Sequence, residues 1–397
     1  MKKMTQLRQS KAKFLLVAGE TSGDIYGSLL MEAIGQSVPD AVFLGVGGPR
    51  MAAAGQVQLY DLSKLAVVGL VEVFKHLGEI RKIFLDLVHC ALVEKPDCVI
   101  LIDYPGFNLK LASKIRKELP SIKIVYYISP QVWAWHSQRA EKFNKLIDLM
   151  LVIFPFEKPW FEKHAPKLNV EWVGHPLMDR LLPNSLPTAS SNAPKIALLP
   201  GSRKMEITSH LPILYKAAWK MVMRGKDYQF IWIAPNEELV EVGLSLLGLK
   251  DLPEWLRIQV GYPLSHISRC KLAILASGSV SLECALLGVP QIVIYKTNPL
   301  TYQVGKRLVK VPYLSIVNVL ANEKVVPEFV QEAAQPEKIS ALAIKLMHDE
   351  GLRNEMRNKM MAVVNQLGSA GASQKAASLV LALLKGEQKK EIQSITS

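Results

Sequence analysis

One pattern constrains this chain more than any other. Short, almost wholly apolar runs alternate with longer stretches of helical periodicity, and the alternation happens twice. The runs Lys13–Ala18, Ala41–Val46, Cys98–Ile102, Lys123–Ile128 and Leu149–Phe154 have the length of parallel strands buried on both faces. Helices fit between them: Asn108–Leu119 gathers Leu109, Leu111, Ala112, Ile115 and Leu119 at helical spacing. Such alternation predicts parallel sheets built from strand–helix–strand units. The run 183–194 (Pro-Asn-Ser-Leu-Pro-Thr-Ala-Ser-Ser-Asn-Ala-Pro) has turn formers and no period, so it reads as a linker. Beyond it the pattern restarts with Lys195–Leu199, Tyr228–Ala234, Arg257–Val260, Leu272–Ala276 and Gln291–Tyr295. The 397 residues therefore divide into two α/β halves, with a ligand cleft expected where the carboxyl ends of their sheets meet.

Composition narrows the class. The longest apolar runs, Cys98–Ile102 and Leu149–Phe154, fall far short of the roughly 18 residues of a spanning helix, which argues against a transmembrane protein. Basic residues precede Phe14–Ala18, but that run is short for a secretion signal and ends in an acidic turn. Four cysteines without CxxC spacing read as buried thiols in a reducing compartment. Forty-eight basic residues against 35 acidic ones leave a net charge of +13. That excess suits nucleic acid, anionic lipid or phosphorylated substrates, and equally an ordinary solvated surface.

Several strand ends carry chemistry. In Val17-Ala-Gly-Glu-Thr-Ser-Gly-Asp24 an apolar strand runs into small and acidic residues where a helix begins. Glu20, Ser22 and Asp24 face a ligand there, or Thr21 or Ser22 merely caps the helix. Gly45-Val-Gly-Gly-Pro-Arg50 is a second glycine-rich strand end, a ligand loop or a tight turn. In Ile102-Asp-Tyr-Pro-Gly-Phe-Asn108 the carboxylate of Asp103 emerges at the carboxyl edge of the sheet, as a general base or as a turn cap. Trp133 and Trp135, in Ser129-Pro-Gln-Val-Trp-Ala-Trp135, are core or the wall of an apolar site. The second half opens on Leu199-Pro-Gly-Ser-Arg203, where Ser202 and Arg203 suit a phosphate. In Ala276-Ser-Gly-Ser-Val-Ser-Leu-Glu283, Gly278 and Ser279 expose amides to an anion and Glu283 suits ribose hydroxyls, or the group is an ordinary cap. Segment 62–77, with Val68 and Leu70, is apolar at almost every uncharged position. It is either a core helix or a surface for a bilayer or acyl chains. No HxxxH, HExxH or Asp-x-Asp spacing supports a metal, and the expectation is none.

These strings, together with Ala66-Val-Val-Gly-Leu-Val-Glu-Val73 and Lys306-Arg-Leu-Val-Lys310, resemble the lipid-A-disaccharide synthase family in order over about residues 13–340. The resemblance implies a GT-B fold of two Rossmann-like domains. Residues 1–182 would form the acceptor and membrane side, 195–365 the UDP-sugar side, and 366–397 a closing helix and tail that cross back or swap, leaving a homodimer open. It implies an inverting, metal-independent transferase without cofactor. The substrates would be UDP-2,3-diacylglucosamine and 2,3-diacylglucosamine 1-phosphate, joined by a β-1,6 bond at the cytoplasmic face of the inner membrane. By motif, Asp103 matches the proposed base and Glu20 the glutamate near the acceptor. Arg203, Glu283 and Asn318 match UDP positions, and Glu328 and Gln331 a further donor-binding motif. Many relatives have proline where this chain has Val317.

Rival readings are another GT-B enzyme, such as a UDP-GlcNAc epimerase or a peptidoglycan transferase, and a non-catalytic lipid-binding protein. The epimerase and transferase lack the apolar 62–77 segment combined with Trp133-Ala-Trp135; the lipid-binding protein has no use for Arg203 and Glu283. A nucleic-acid partner is not expected, because no RNA- or DNA-binding pattern accompanies the charge.

Overall fold

The computed structural model describes residues 11–61, 77–135, 140–180, 195–225, 227–261, 264–308 and 311–386. Val68 and Leu70, His136, the linker 183–194 and the tail after Gly386 lie outside the described residues. So does the side chain of Trp135.

The chain forms two compact units. The first runs to Asp179 and takes in the closing stretch from Ser369, while the second holds Arg180–Gly368. The first unit is a parallel sheet of β1 (Lys13–Ala18), β2 (Val42–Gly47), β3 (Gln56–Asp61), β4 (Cys98–Ile102), β5 (Lys123–Tyr127), β6 (Leu149–Val152) and β7 (Val170–Trp172). Its order is β3-β2-β1-β4-β5-β6-β7. The second contains β8 (Lys195–Leu199), β9 (Gln229–Ala234), β10 (Leu256–Val260), β11 (Leu272–Ala276), β12 (Gln291–Tyr295) and β13 (Glu328–Val330), ordered β10-β9-β8-β11-β12-β13. Both sheets are doubly wound, as the two-α/β expectation required.

The central strands are apolar at nearly every position because helices cover both faces. All five residues of Cys98–Ile102 are fully buried, as are all of Leu272–Ala276 to within a few per cent. Three strands escape the sequence reading, and all three are edges. Gln56–Asp61 alternates polar and apolar residues and leaves Val57 and Leu59 exposed, while β7 and β13 have three residues each.

Each sheet reverses direction of winding once, between β1 and β4 and between β8 and β11. Ligands of such folds bind outside the carboxyl ends at that reversal. Register makes this concrete. Ala18 pairs with Ile102, so Gly19 and Asp103 leave the first sheet side by side. Leu199 pairs with Leu275, which brings the loops after β8 and β11 together in the second.

The stretch Glu350–Lys385 holds an 18-residue window of mean hydropathy 1.2. It is not one helix. Gly368 (φ +91°) and Gly371 (φ +108°) break it into Glu350–Val364 and Ala372–Lys385, of 15 and 14 residues. The second of these packs on helix Thr21–Ser37 and on β5 and β6, with much of one face buried. Its first turn is held by Asp179, whose carboxylate accepts from the amides of Gly371 (2.6 Å), Ala372 (3.1 Å) and Ser373 (2.8 Å). Cys98, Cys270 and Cys284 are buried thiols, and burial pushes Cys270 up to about 12.

Candidate functional site

In the first unit two carboxylate-bearing loops flank the reversal point. The helix after β1 starts at Thr21 with Glu20 at its cap position, so neither Thr21 nor Ser22 is the cap, and the Glu20 side chain makes no capping hydrogen bond. Across from it, Asp103 (φ 46°) and Tyr104 (φ 50°, ψ 58°) are consecutive left-handed residues. Neither is glycine, and such a conformation costs about 1–3 kcal/mol per residue unless its surroundings impose it. The surroundings do impose it. The buried Tyr126 hydroxyl donates to the Asp103 carbonyl at 2.6 Å. The fully buried Asn108 amide donates to the same oxygen at 2.8 Å and to the Ile102 carbonyl at 3.2 Å. The Tyr104 ring packs against Gly19, where an added Cβ would come within 2.3 Å of it. Glycine at 19 is therefore a packing requirement, and it couples the Glu20 loop to the Asp103 loop.

Two other expected residues of this unit, Asp24 and Trp133, are engaged by the protein itself. Asp24 is 6 % exposed, and its carboxylate accepts from the amides of Gly48 (2.8 Å), Arg50 (3.1 Å) and Met51 (2.9 Å). It caps helix Pro49–Ala53, which corrects its placement as an acceptor residue and accounts for the glycine-rich turn around Gly48. Ser22 is half-buried in the first turn of its helix. The Trp133 indole donates to Glu157 at 3.0 Å and packs edge-on to Phe156. The residue is partly exposed, and its polar edge is committed to Glu157. Glu157 also accepts from Ser129 (2.6 Å), Ile153 (3.1 Å) and Phe154 (2.9 Å), and burial raises its carboxyl to about 7 against those donors.

Sequence reasoning missed His175. It follows β7, is 3 % exposed, accepts from the Leu177 amide and packs against Tyr26 and Phe154. Burial pushes it down to about 3, so it is a neutral ring. Its only sequence signal was a Gly-His-Pro turn after a short strand.

In the second unit the loops after β8, β11 and β13 share one sheet edge. Gly201 has φ +128°, and a Cβ there would come within 2.4 Å of Glu206. Glu206 accepts from the Ser202 amide at 2.7 Å and the Arg203 amide at 3.3 Å. These amides, which suit a phosphate, are engaged by the protein's own carboxylate. The Arg203 guanidinium is 44 % exposed and only loosely paired with Glu206, at 3.7 Å. The loop is pinned from beneath by His210, a buried ring bonded to the Pro200 carbonyl (2.8 Å) on one side and accepting from the Lys296 amide (2.9 Å) on the other.

Gly278 and Ser279 are exposed after β11, with open space above Gly278. Glu283, one turn on, is 7 % exposed and ion-paired to Arg180 at 2.8 Å. Arg180 was not singled out, since nothing in sequence links positions 103 residues apart. Asn318 is fully buried and holds the Val326 backbone twice at 2.8 Å, donating its second amide hydrogen to Glu328 at 2.8 Å. Glu328 also accepts from the amides of Leu314 (3.2 Å) and Ser315 (2.8 Å). The pair staples a loop, and Val317 is buried in the same short helix. Gln331 behaves differently. It is left-handed (φ 53°), 5 % exposed, and its amide nitrogen has no hydrogen-bond partner. Among the described residues no group of three or more His, Cys, Asp or Glu side chains gathers as a metal site.

Two doubly wound parallel sheets in one chain, each with loaded loops at its reversal point, define the GT-B class. Solved structures share the whole fold. A UDP-N-acetylglucosamine 2-epimerase from Listeria monocytogenes is 12 % identical, with TM-score 0.66 over 96 % of this chain and 98 % of that one. The glycosyltransferase of kitacinnamycin is 14 % identical, with TM-score 0.58 over 94 % of this chain and 100 % of that one. Sequence then fixes the family. Residues 14–383 match the family described as lipid-A-disaccharide synthetase. The lipid-A-disaccharide synthase of Geobacter sulfurreducens is 39 % identical over 380 residues, covering 94 % of this chain and 97 % of the relative. That of Idiomarina loihiensis is 34 % identical over 384 residues, covering 95 % and 100 %. The chain belongs to the lipid-A-disaccharide synthase family, and is a glycosyltransferase of bacterial lipid A biosynthesis.

Proposed function

We propose that this chain transfers the sugar of UDP-2,3-diacylglucosamine to the 6-hydroxyl of 2,3-diacylglucosamine 1-phosphate, forming a β-1,6 bond and releasing UDP. A sugar nucleotide already carries a good leaving group, so the protein has two tasks: to take the proton of the attacking hydroxyl, and to stabilise the diphosphate as it departs. Asp103 takes the proton, with Glu20 beside the acceptor. Arg203 and the backbone at Gly278 and Ser279 receive the diphosphate, Glu283 the ribose, and the unpartnered amide of Gln331 a further donor group. One in-line displacement then inverts the anomeric centre. The single observation that carries this reading is the pairing of Ala18 with Ile102, which makes the Glu20 and Asp103 loops neighbours at the first sheet's reversal point.

The reading needs no cofactor and no metal, so activity should survive EDTA. Loss of turnover in EDTA that magnesium restores would overturn it. A net charge of +13 favours phosphorylated lipids on an anionic surface, and we place the enzyme peripherally on the cytoplasmic face of the inner membrane. Replacing Val68 and Leu70 by serine should release it from anionic vesicles while UDP binding persists; a variant that unfolds would make that segment core. The test of the reaction is incubation of the purified protein with both lipid substrates, which should yield stoichiometric UDP and disaccharide. Hydrolysis or epimerisation of the donor without the disaccharide would contradict it. The epimerase from Methanocaldococcus jannaschii solved with UDP-GlcNAc and UDP has the same fold at TM-score 0.60, which makes epimerisation the alternative outcome worth measuring.

A further inference from the structure

We infer that Tyr126 and Asn108 are positioning residues for the reaction, pinning the backbone of Asp103 and Tyr104 in the left-handed conformation from which the Asp103 carboxylate is presented. The inference rests on Asp103 being the general base, and it goes further by naming what aims that base.

Three observations carry it. Two adjacent non-glycine residues are left-handed at the end of a fully buried strand, the tyrosine having no side-chain chemistry that favours the conformation. Both donors converge on one atom, the Asp103 carbonyl oxygen, from different elements: Tyr126 from β5 and Asn108 from helix Pro105–Glu118. The Asp103 amide is held as well, donating to the Tyr127 carbonyl at 3.1 Å. The backbone of residue 103 is thus fixed at both its N–H and its C=O, and the carboxylate it bears is left with little freedom except about its own side-chain torsions. The arrangement also tolerates a cost, since the Asn108 side-chain oxygen is buried without a partner. An asparagine kept for packing alone would be replaced by an apolar residue with profit to stability. Its amide hydrogens give the reason for its presence.

Neither residue touches a substrate in this account, so loss of either must act through Asp103. Tyr126→Phe removes one donor and leaves the ring packed on Phe143, 5.7 Å away between centroids. It should lower kcat about tenfold to a hundredfold, the scale of a small misplacement of a catalytic group. KM for the UDP-sugar and the thermal shift on adding UDP should not change. Phe161→Leu, a buried core change in the same unit, serves as a control for lost stability and should keep wild-type kcat.

The decisive measurement is a double-mutant cycle with Asp103→Asn. If Tyr126 works by aiming the carboxylate, Tyr126→Phe should cost nothing further once that carboxylate is gone. An equal fall in both backgrounds, or no fall in the wild-type background, overturns the inference while Asp103 remains the base. Asp103→Asn retaining more than about a third of wild-type turnover, well outside the general-base range, overturns the base assignment and this inference with it. Should Tyr126→Phe not fold, Asn108→Ala withdraws the other donor and is read through the same cycle, with the same two outcomes.

Discussion

The two sheets have the same winding, yet their loaded edges are built in opposite ways. In the first unit, buried side chains hold a strained backbone at Asp103. In the second, several residues with ligand-binding chemistry hold one another: Glu206 engages the Ser202 and Arg203 amides, Arg180 engages Glu283, and Asn318 engages Glu328. Under the proposed reaction a base has to be aimed to within a fraction of an ångström, which an over-determined backbone would achieve. A diphosphate site has to tolerate its own empty state, which internal ion pairs would allow.

The sharpest way to break that contrast is Asp103→Asn, which keeps shape but cannot take a proton at neutral pH. Turnover should fall about 10²–10⁴-fold, read as initial UDP release. In the second unit Arg203→Ala should remove most of the stabilisation that UDP confers, roughly 1.5–3 kcal/mol for a charge-assisted fork. An equal UDP thermal shift in variant and wild type would remove Arg203 from the site. Asn318→Ala should behave as a structural change, destabilising by about 1–3 kcal/mol through the unsatisfied Val326 groups and Glu328. Urea unfolding checks this, and a variant of unchanged stability that has lost UDP binding would return Asn318 to the ligand.

A further effect concerns pH. His175 in the fold sits at about 3, below the 6.5 of an unfolded chain, because burial disfavours its charged form. Its contribution to stability is full above pH 6.5, where the ring is neutral in both states. It is lost as pH falls from 6.5 toward 3, where only the unfolded chain takes the proton. His175→Phe should therefore flatten the decline of the urea midpoint across that range, and an unchanged slope would mean that the ring titrates in place.

The sheet cores were legible because burial on both faces writes continuous apolar runs; β1, β4, β8, β11 and β12 begin and end where those runs do. The edge strands β3, β7 and β13 were not, since β3 is half-solvated and β7 and β13 are too short to carry a period. The site was legible in the same uneven way. Glu20, Asp103, Arg203 and Gly278 stand at strand ends, which local sequence marks. What sequence could not reveal was partnership over distance: Asp24 with the amides of Gly48, Arg50 and Met51, Arg180 with Glu283, and the clamp of Tyr126 and Asn108 on Asp103. A carboxylate after a strand looks the same in sequence whether it faces substrate or three amides. The packed structure shows that Asp24 meets three amides.

The central claim is that catalysis resides in the first unit and nucleotide binding in the second. It is tested most directly by putting Asp103→Asn and Arg203→Ala through the same two assays, single-turnover disaccharide formation and the thermal shift on adding UDP. Asp103→Asn should lose turnover and keep the full UDP shift, whereas Arg203→Ala should lose most of the shift. If Asp103→Asn loses the UDP shift as well, or keeps its turnover while Arg203→Ala binds UDP normally, the division of labour is contradicted.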